Sequence, residues 1–263
     1  MQSYLNLRFE SIEKRFEEID FLINCAIENL SDNNKYQTFC RSAHVLLVSH
    51  FEGIYKDVVK DVIDDFNINT KFDQLPKDIL NTHCNYFLLS IDTTKPTKII
   101  KDKLKEAFGN YQSKIKIEPF LFVDNKNPTP EIVNTILERF GISNFFWSIK
   151  DSDLDIVFAG LKTETNDLKT KLLDYLKNNT KIFPYNIEIS IYNPAIKSTE
   201  KKHKTLWEDF LNDFLKERHS IVHGTTLTSP FSHQAITDAK VKMEIITYAF
   251  IITLASIKPL PIS

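Results

Sequence analysis

Apolar residues recur at helical spacing over most of this chain. In residues 3–30, Leu5, Phe9, Ile12, Phe16, Ile19, Ile23 and Ile27 follow one another at steps of three and four, which places them on one helical face. Ser31-Asp32-Asn33-Asn34 then breaks the pattern with side chains suited to a turn and a cap. A second helix is predicted over about 35–66. It carries two apolar stripes: Cys40, Ala43, Leu47, Phe51, Ile54, Val58 and Val62 on one, Val45, Val48, Tyr55, Val59 and Ile63 on the other. A helix apolar on two sides is buried between neighbours, so this one is expected at the centre. Glu52 falls within the second stripe. A charge left unpaired there is costly, so a cationic or hydrogen-bonding partner is expected.

Residues 76–91 and 96–113 read as two further helices, with Pro76 and Pro96 suited to their first turns. From about 115 to 200 the texture changes, and Pro119, Pro128, Pro130, Pro184 and Pro194 all fall there. Segments 117–123 and 187–191 alternate like strands and could pair as a small β ribbon, with helices near 130–140 and 164–178 between them. Thr205-Leu206-Trp207-Glu208 has the form of a capping box, and Trp207, Phe210, Leu211, Phe214 and Leu215 continue it as an amphipathic face. A last helix is predicted over about 232–257. Its apolar stretch at 245–257 is 13 residues long, short for a membrane span and suited to a buried helix. The expected fold is a mainly α, up-and-down bundle forming a single domain over 1–263, with 115–200 as an insertion or subdomain.

Composition narrows the function classes. Only five glycines occur in 263 residues, which argues against Gly-rich phosphate loops. The net charge of −2 provides no general basic field for nucleic acid. Positive charge is local: Lys95, Lys98, Lys101, Lys103 and Lys105 on one predicted helix, and Lys197, Lys201, Lys202 and Lys204 ahead of the capping box. Cys25, Cys40 and Cys84 form no Cys-x-x-Cys pair and fit reduced thiols of a cytoplasmic protein. Residues 1–10 hold no apolar signal core, so neither secretion nor membrane attachment is expected.

The chemistry concentrates in Glu217-Arg218-His219-Ser220-Ile221-Val222-His223-Gly224. Arg218 lies four residues after Phe214, so it continues an apolar face toward a core or an interface. Only five arginines occur against 28 lysines, so a guanidinium here points to planar, multi-donor geometry. Arginine and histidine together suit RNA cleavage by internal attack. A neutral imidazole can take the proton of the ribose 2′-hydroxyl, and a guanidinium can hold the phosphate and offset its growing charge. No cofactor and no metal is required. On one continuous helix, Arg218 and His223 would stand roughly 140° apart. Either the helix breaks between them or two copies of the motif combine across a symmetric dimer. A zinc reading through His219 and His223 lacks a His-Glu-x-x-His pattern, and a third ligand such as His203 or His233 is speculative. Asp151, Asp153 and Asp155 read as a solvated turn, and His44 and His50 as structural.

The segment Arg218-His219-Ser220-Ile221-Val222-His223-Gly224 resembles the Arg-polar-x3-His motif of HEPN domains. Arg41 to Gly53, with its apolar run ending in Phe51-Glu52-Gly53, is similar to the N-terminal helix of the MAE-type, RiboL-PSP-like branch of that superfamily. The resemblance covers about 35–66 and 205–257. It implies an α-helical bundle, a homodimer whose two motifs line one cleft, and metal-independent endoribonuclease activity of the kind found in toxins and anti-phage effectors. It further implies Arg218 and His223 as the catalytic pair and Glu52 as the acidic residue of the earlier helix. His219 takes the polar position, where it could orient Arg218, touch phosphate or share the proton work. Apart from the resemblance, Lys201, Lys202 and Lys204 are candidates either for RNA binding or for a solvated face, and an antitoxin or regulatory ATPase is a partner by analogy. The alternatives are a catalytically silent dimer of the same fold that binds RNA, a nucleotide or a protein, and a metallohydrolase.

Overall fold

The computed structural model describes residues 2–88, 98–121, 128–194, 204–222 and 228–261. Helix α1 (Tyr4–Glu28) begins at Ser3, whose side chain accepts from the Asn6 amide. It buries the predicted face from Leu5 to Ile23, then turns inward at Ala26 and leaves Ile27 43% exposed. Helix α2 (Asn33–Asn69), capped by Asp32, is 37 residues and about 55 Å long. Both of its apolar stripes are buried except at Val45, and α1, α8 and α9 pack around it. It is the central helix that the double stripe predicts.

Helices α3 (Lys77–Leu88), α4 (Lys98–Asn110), α5 (Pro130–Arg139) and α6 (Phe145–Ile149) follow. Then come α7 (Lys162–Asn179), α8 (Leu206–Val222) and α9 (His233–Ala255). The fold is mainly α, and no strand occurs among the described residues. The ribbon that alternation allowed is therefore corrected. Glu118–Phe120 and Ile189–Tyr192 are single 3₁₀ turns. Phe183, Tyr185 and Ile187 do alternate inward, with Pro184, Asn186 and Glu188 outward, but this extended stretch lies on the helices without a partner strand. In the segment expected to alternate, Ile187 is buried but Ile189 is 41% exposed and Ile191 half-buried, so its period-2 pattern corresponds to neither a sheet nor a buried face.

Helix α9 buries every residue from Met243 to Ala255. It packs against α1, α2 and α7, with the Phe250 ring 4.1 Å from that of Tyr55. Among the described residues, no helix is long and apolar enough to cross a membrane. Several charges inside the bundle are paired. Glu244 faces Lys169 at 3.3 Å and Lys240 at 3.8 Å, and Lys240 also reaches Asp20 at 2.6 Å. Asp65 accepts from the backbone amides of Tyr4 and Leu5 and from the Tyr185 hydroxyl at 2.6 Å, placing a carboxylate at the amino end of α1.

Candidate functional site

Helix α8 starts with the predicted capping box. The Thr205 amide donates to Glu208 Oε2 at 2.7 Å, and the Glu208 amide to Thr205 Oγ1 at 3.2 Å. Trp207 Nε1 donates to Asp155 Oδ1 at 2.9 Å, so one carboxylate of the Asp151-Asp155 turn anchors this helix. Trp207, Leu211, Phe214 and Leu215 form its buried face. Arg218 follows Phe214 by four residues and is half-buried, while His219 is exposed and Val222 is 50% exposed. The helix does not break between Arg218 and Val222. His223 and Gly224 lie outside the described residues.

The middle of α8 is tied to α2 by His44. This ring is fully buried, and its Nε2 lies 2.9 Å from the Phe214 carbonyl oxygen, to which it donates. Its centroid is 4.2 Å from the Phe214 ring and 5.0 Å from that of Phe231, which precedes α9. Burial pushes the His44 pKa down to about 4. The bond to the Phe214 carbonyl opposes that shift, and the positive charge of Arg218 adds to it. His44 is thus neutral near pH 7, with Arg218 close enough to bias its titration. A histidine read from sequence as structural proves to be what holds the motif-bearing helix. Its place in a stripe of apolar α2 residues was the available signal, but its partner was not visible in sequence.

A groove of about 520 Å³ opens beside the end of α8, lined by Leu22 of α1, by Arg41, Val45 and Ser49 of α2, and by Ile221 and Val222. Arg41 is half-buried there. Its described hydrogen bond is a long one to Thr38 Oγ1 at 3.4 Å, and it meets no carboxylate among the described residues. Sequence pattern does not single out this arginine, because its setting depends on how α1 and α8 flank α2.

Glu52, expected to need a cationic or hydrogen-bonding partner, is half-buried and pairs with Lys56 at 2.9 Å, one turn away. It lies eight residues past His44, roughly 12 Å along α2, and its described contact is with Lys56 and not with α8. The neighbouring Gly53 makes room for a side chain of α1. A Cβ there would stand 3.0 Å from Arg15 Nη1, so the glycine lets Arg15 lie against α2 and reach Asp57 at 2.6 Å. His50 pairs with Glu18 at 2.8 Å. Lys204 is exposed just before the capping box. Lys201, Lys202, Lys197 and His203 lie outside the described residues. His233 Nδ1 is 3.2 Å from the Tyr36 hydroxyl. Among the described residues, no group of three His, Cys, Asp or Glu side chains could hold a metal ion.

A profile of the RiboL-PSP-HEPN family matches residues 10–255. That span runs from early α1 to the end of α9 and includes the whole motif. No curated protein and no solved structure shows significant similarity to the chain.

Proposed function

Because the chain belongs to the RiboL-PSP-HEPN family, whose membership supports a ribonuclease or nucleotide-binding type of function, we propose that it is a metal-independent endoribonuclease acting through Arg218 and His223. In this reading the neutral His223 imidazole removes the 2′-hydroxyl proton of the RNA. The freed oxygen attacks the adjacent phosphorus, and the bond to the 5′-oxygen of the next nucleotide breaks. Arg218 holds the phosphate and offsets the charge that develops on its oxygens. The leaving 5′-oxygen takes up a proton, so the products are a 2′,3′-cyclic phosphate and a 5′-hydroxyl.

One observation carries the reading. Arg218 sits near the carboxyl end of a helix whose Phe214 carbonyl accepts from a neutral His44, so that histidine adds no second positive charge near Arg218. The adjoining groove offers room for a nucleotide, with Arg41 on its wall. Since α8 continues past Arg218 to Val222, we propose a homodimer in which two motifs line one cleft. Within it, His219 orients Arg218 or shares proton transfer. Glu52 contributes as the acidic residue that the family likeness assigns to α2, and Lys201, Lys202 and Lys204 bind the RNA backbone. The biological role proposed is that of a cytoplasmic toxin or anti-phage effector, controlled by an antitoxin or a regulatory ATPase.

The test is digestion of total RNA and tRNA in EDTA by wild type, Arg218→Ala and His223→Ala, with circular dichroism showing that the variants fold. The proposal expects cleavage by wild type alone. Binding without product by wild type would favour the silent-dimer alternative, and equal cleavage by all three would remove the assigned pair.

A further inference from the structure

One lysine of α9 is placed unlike Lys240 and Lys169 in the same bundle. Lys242, near the middle of α9, is half-buried, and its Nζ lies 5.0 Å from the Phe158 ring centroid and 5.3 Å from that of Phe210. Among the described residues, that Nζ has no hydrogen-bond acceptor and no carboxylate within ion-pair distance. Lys240, two residues earlier, meets both Asp20 and Glu244, and Lys169 meets Glu244. The ring faces attract the ammonium, but they cannot accept its hydrogen bonds in the way an oxygen does.

Two clefts meet at this side chain. One, about 280 Å³, lies between α9 and the turn before α7, with Val157, Phe158 and Val241 supplying apolar wall and Asn166 and Thr237 polar rim. The other, also about 280 Å³, extends under α8 to Phe210, Phe214 and Phe231. Both include Lys242 and Asp238. The Asn166 side chain makes no hydrogen bond among the described residues, so the rim offers an amide as well as the ammonium. The site is a concave apolar wall with a few converging polar groups, the arrangement that binds small molecules.

We propose that the cleft around Lys242 binds a small organic anion, a carboxylate or phosphate ester carried on an apolar or aromatic body. Lys242 would pair with the anionic group, Phe158, Val157 and Val241 would cover the body, and Asn166 and Asp238 would take its polar edge. Burial depresses the Lys242 pKa, opposed by the charge of Asp238, so an anion arriving there relieves a desolvated cation. The residues involved are separate from Arg218 and His223, so binding here is independent of the RNA reading.

The experiment is isothermal titration of the full chain with three probes: uridine 5′-monophosphate, indole-3-carboxylate and inorganic phosphate. Wild type is compared with Lys242→Met and Asn166→Ala, and each ligand is also tested for a rise in Tm. The expected result is saturable 1:1 binding of one organic anion, weakened tenfold or more in Lys242→Met, with inorganic phosphate much weaker. Whichever organic probe binds identifies the anion as phosphate ester or carboxylate. If Lys242→Met does not fold, at least a threefold loss in the exposed Asn166→Ala serves as the criterion. The proposal is overturned if no organic probe binds at millimolar concentration, if the variants bind as wild type does, or if bare phosphate binds as well as the organic anions. Lys242 would then be a packing residue that covers Phe158 and Phe210 with its stem.

Discussion

Helix α9 buries every residue from Met243 to Ala255, whereas α8 buries one face only and ends half open, with Val222 50% exposed. The first is a structural spine, buried on all sides. The second is a lever anchored at its start by a capping box and at its middle by one histidine. The residues proposed for chemistry stand on the lever and beyond it. Apolar packing fixes a helix firmly but leaves no room for a ligand, so a helix proposed to present Arg218 would have to stop packing before its end.

The contrast can be broken at several places. The largest expected effect is on rate: Arg218→Ala should lower RNA cleavage on the order of 10²–10³-fold, measured under single-turnover conditions, with Tm nearly unchanged. Phe250→Ala should do the reverse. Removing a fully buried ring packed against Tyr55 should cost about 3–5 kcal/mol in denaturant melts.

Acid should act on the lever through His44. Its folded pKa, near 4, lies below the ordinary value of 6.5, so the unfolded chain binds the proton more readily. The associated stability is complete above about pH 6.5 and is lost as pH falls toward 4, by up to about 3 kcal/mol. His83, also buried and pushed down to about 4 with burial as the main cause, acts in the same direction. His44→Gln, which can still donate to the Phe214 carbonyl, should flatten part of this slope in melts run from pH 7 to 4. An unchanged slope would mean that His44 is not the group that titrates. The smallest effect is at the start of α8, where Thr205→Ala should cost about 1 kcal/mol by removing one half of the capping box, as read by thermal melts.

The helices were largely legible in the sequence, because a 3.6-residue period over 25 or 37 residues leaves little ambiguity. Short elements were not. Phe145–Ile149 is a five-residue helix, too short to show a period, and Ile187, Ile189 and Ile191 alternate like a strand in sequence although Ile189–Tyr192 is a single 3₁₀ turn. At the candidate site, sequence spacing placed Arg218 on the buried face of α8, and the structure finds it half-buried beside His44. It could not show that His44 reaches the Phe214 carbonyl, since 170 residues separate them. Nor could it show Arg41 in a groove or Lys242 between two rings. Those depend on tertiary neighbours from α1, α8 and the turn before α7, which no local pattern encodes.

The proposed chemistry is tested most directly at the ends of the RNA it leaves. A defined RNA is digested by the wild-type chain in excess chelator, and the fragments are weighed by mass spectrometry. Internal attack by the ribose predicts 2′,3′-cyclic phosphate and 5′-hydroxyl termini, and no cut where the 2′-hydroxyl at the cleavage site is replaced by hydrogen. Fragments ending in 3′-hydroxyl and 5′-phosphate, or cutting at the 2′-deoxy position, would contradict it.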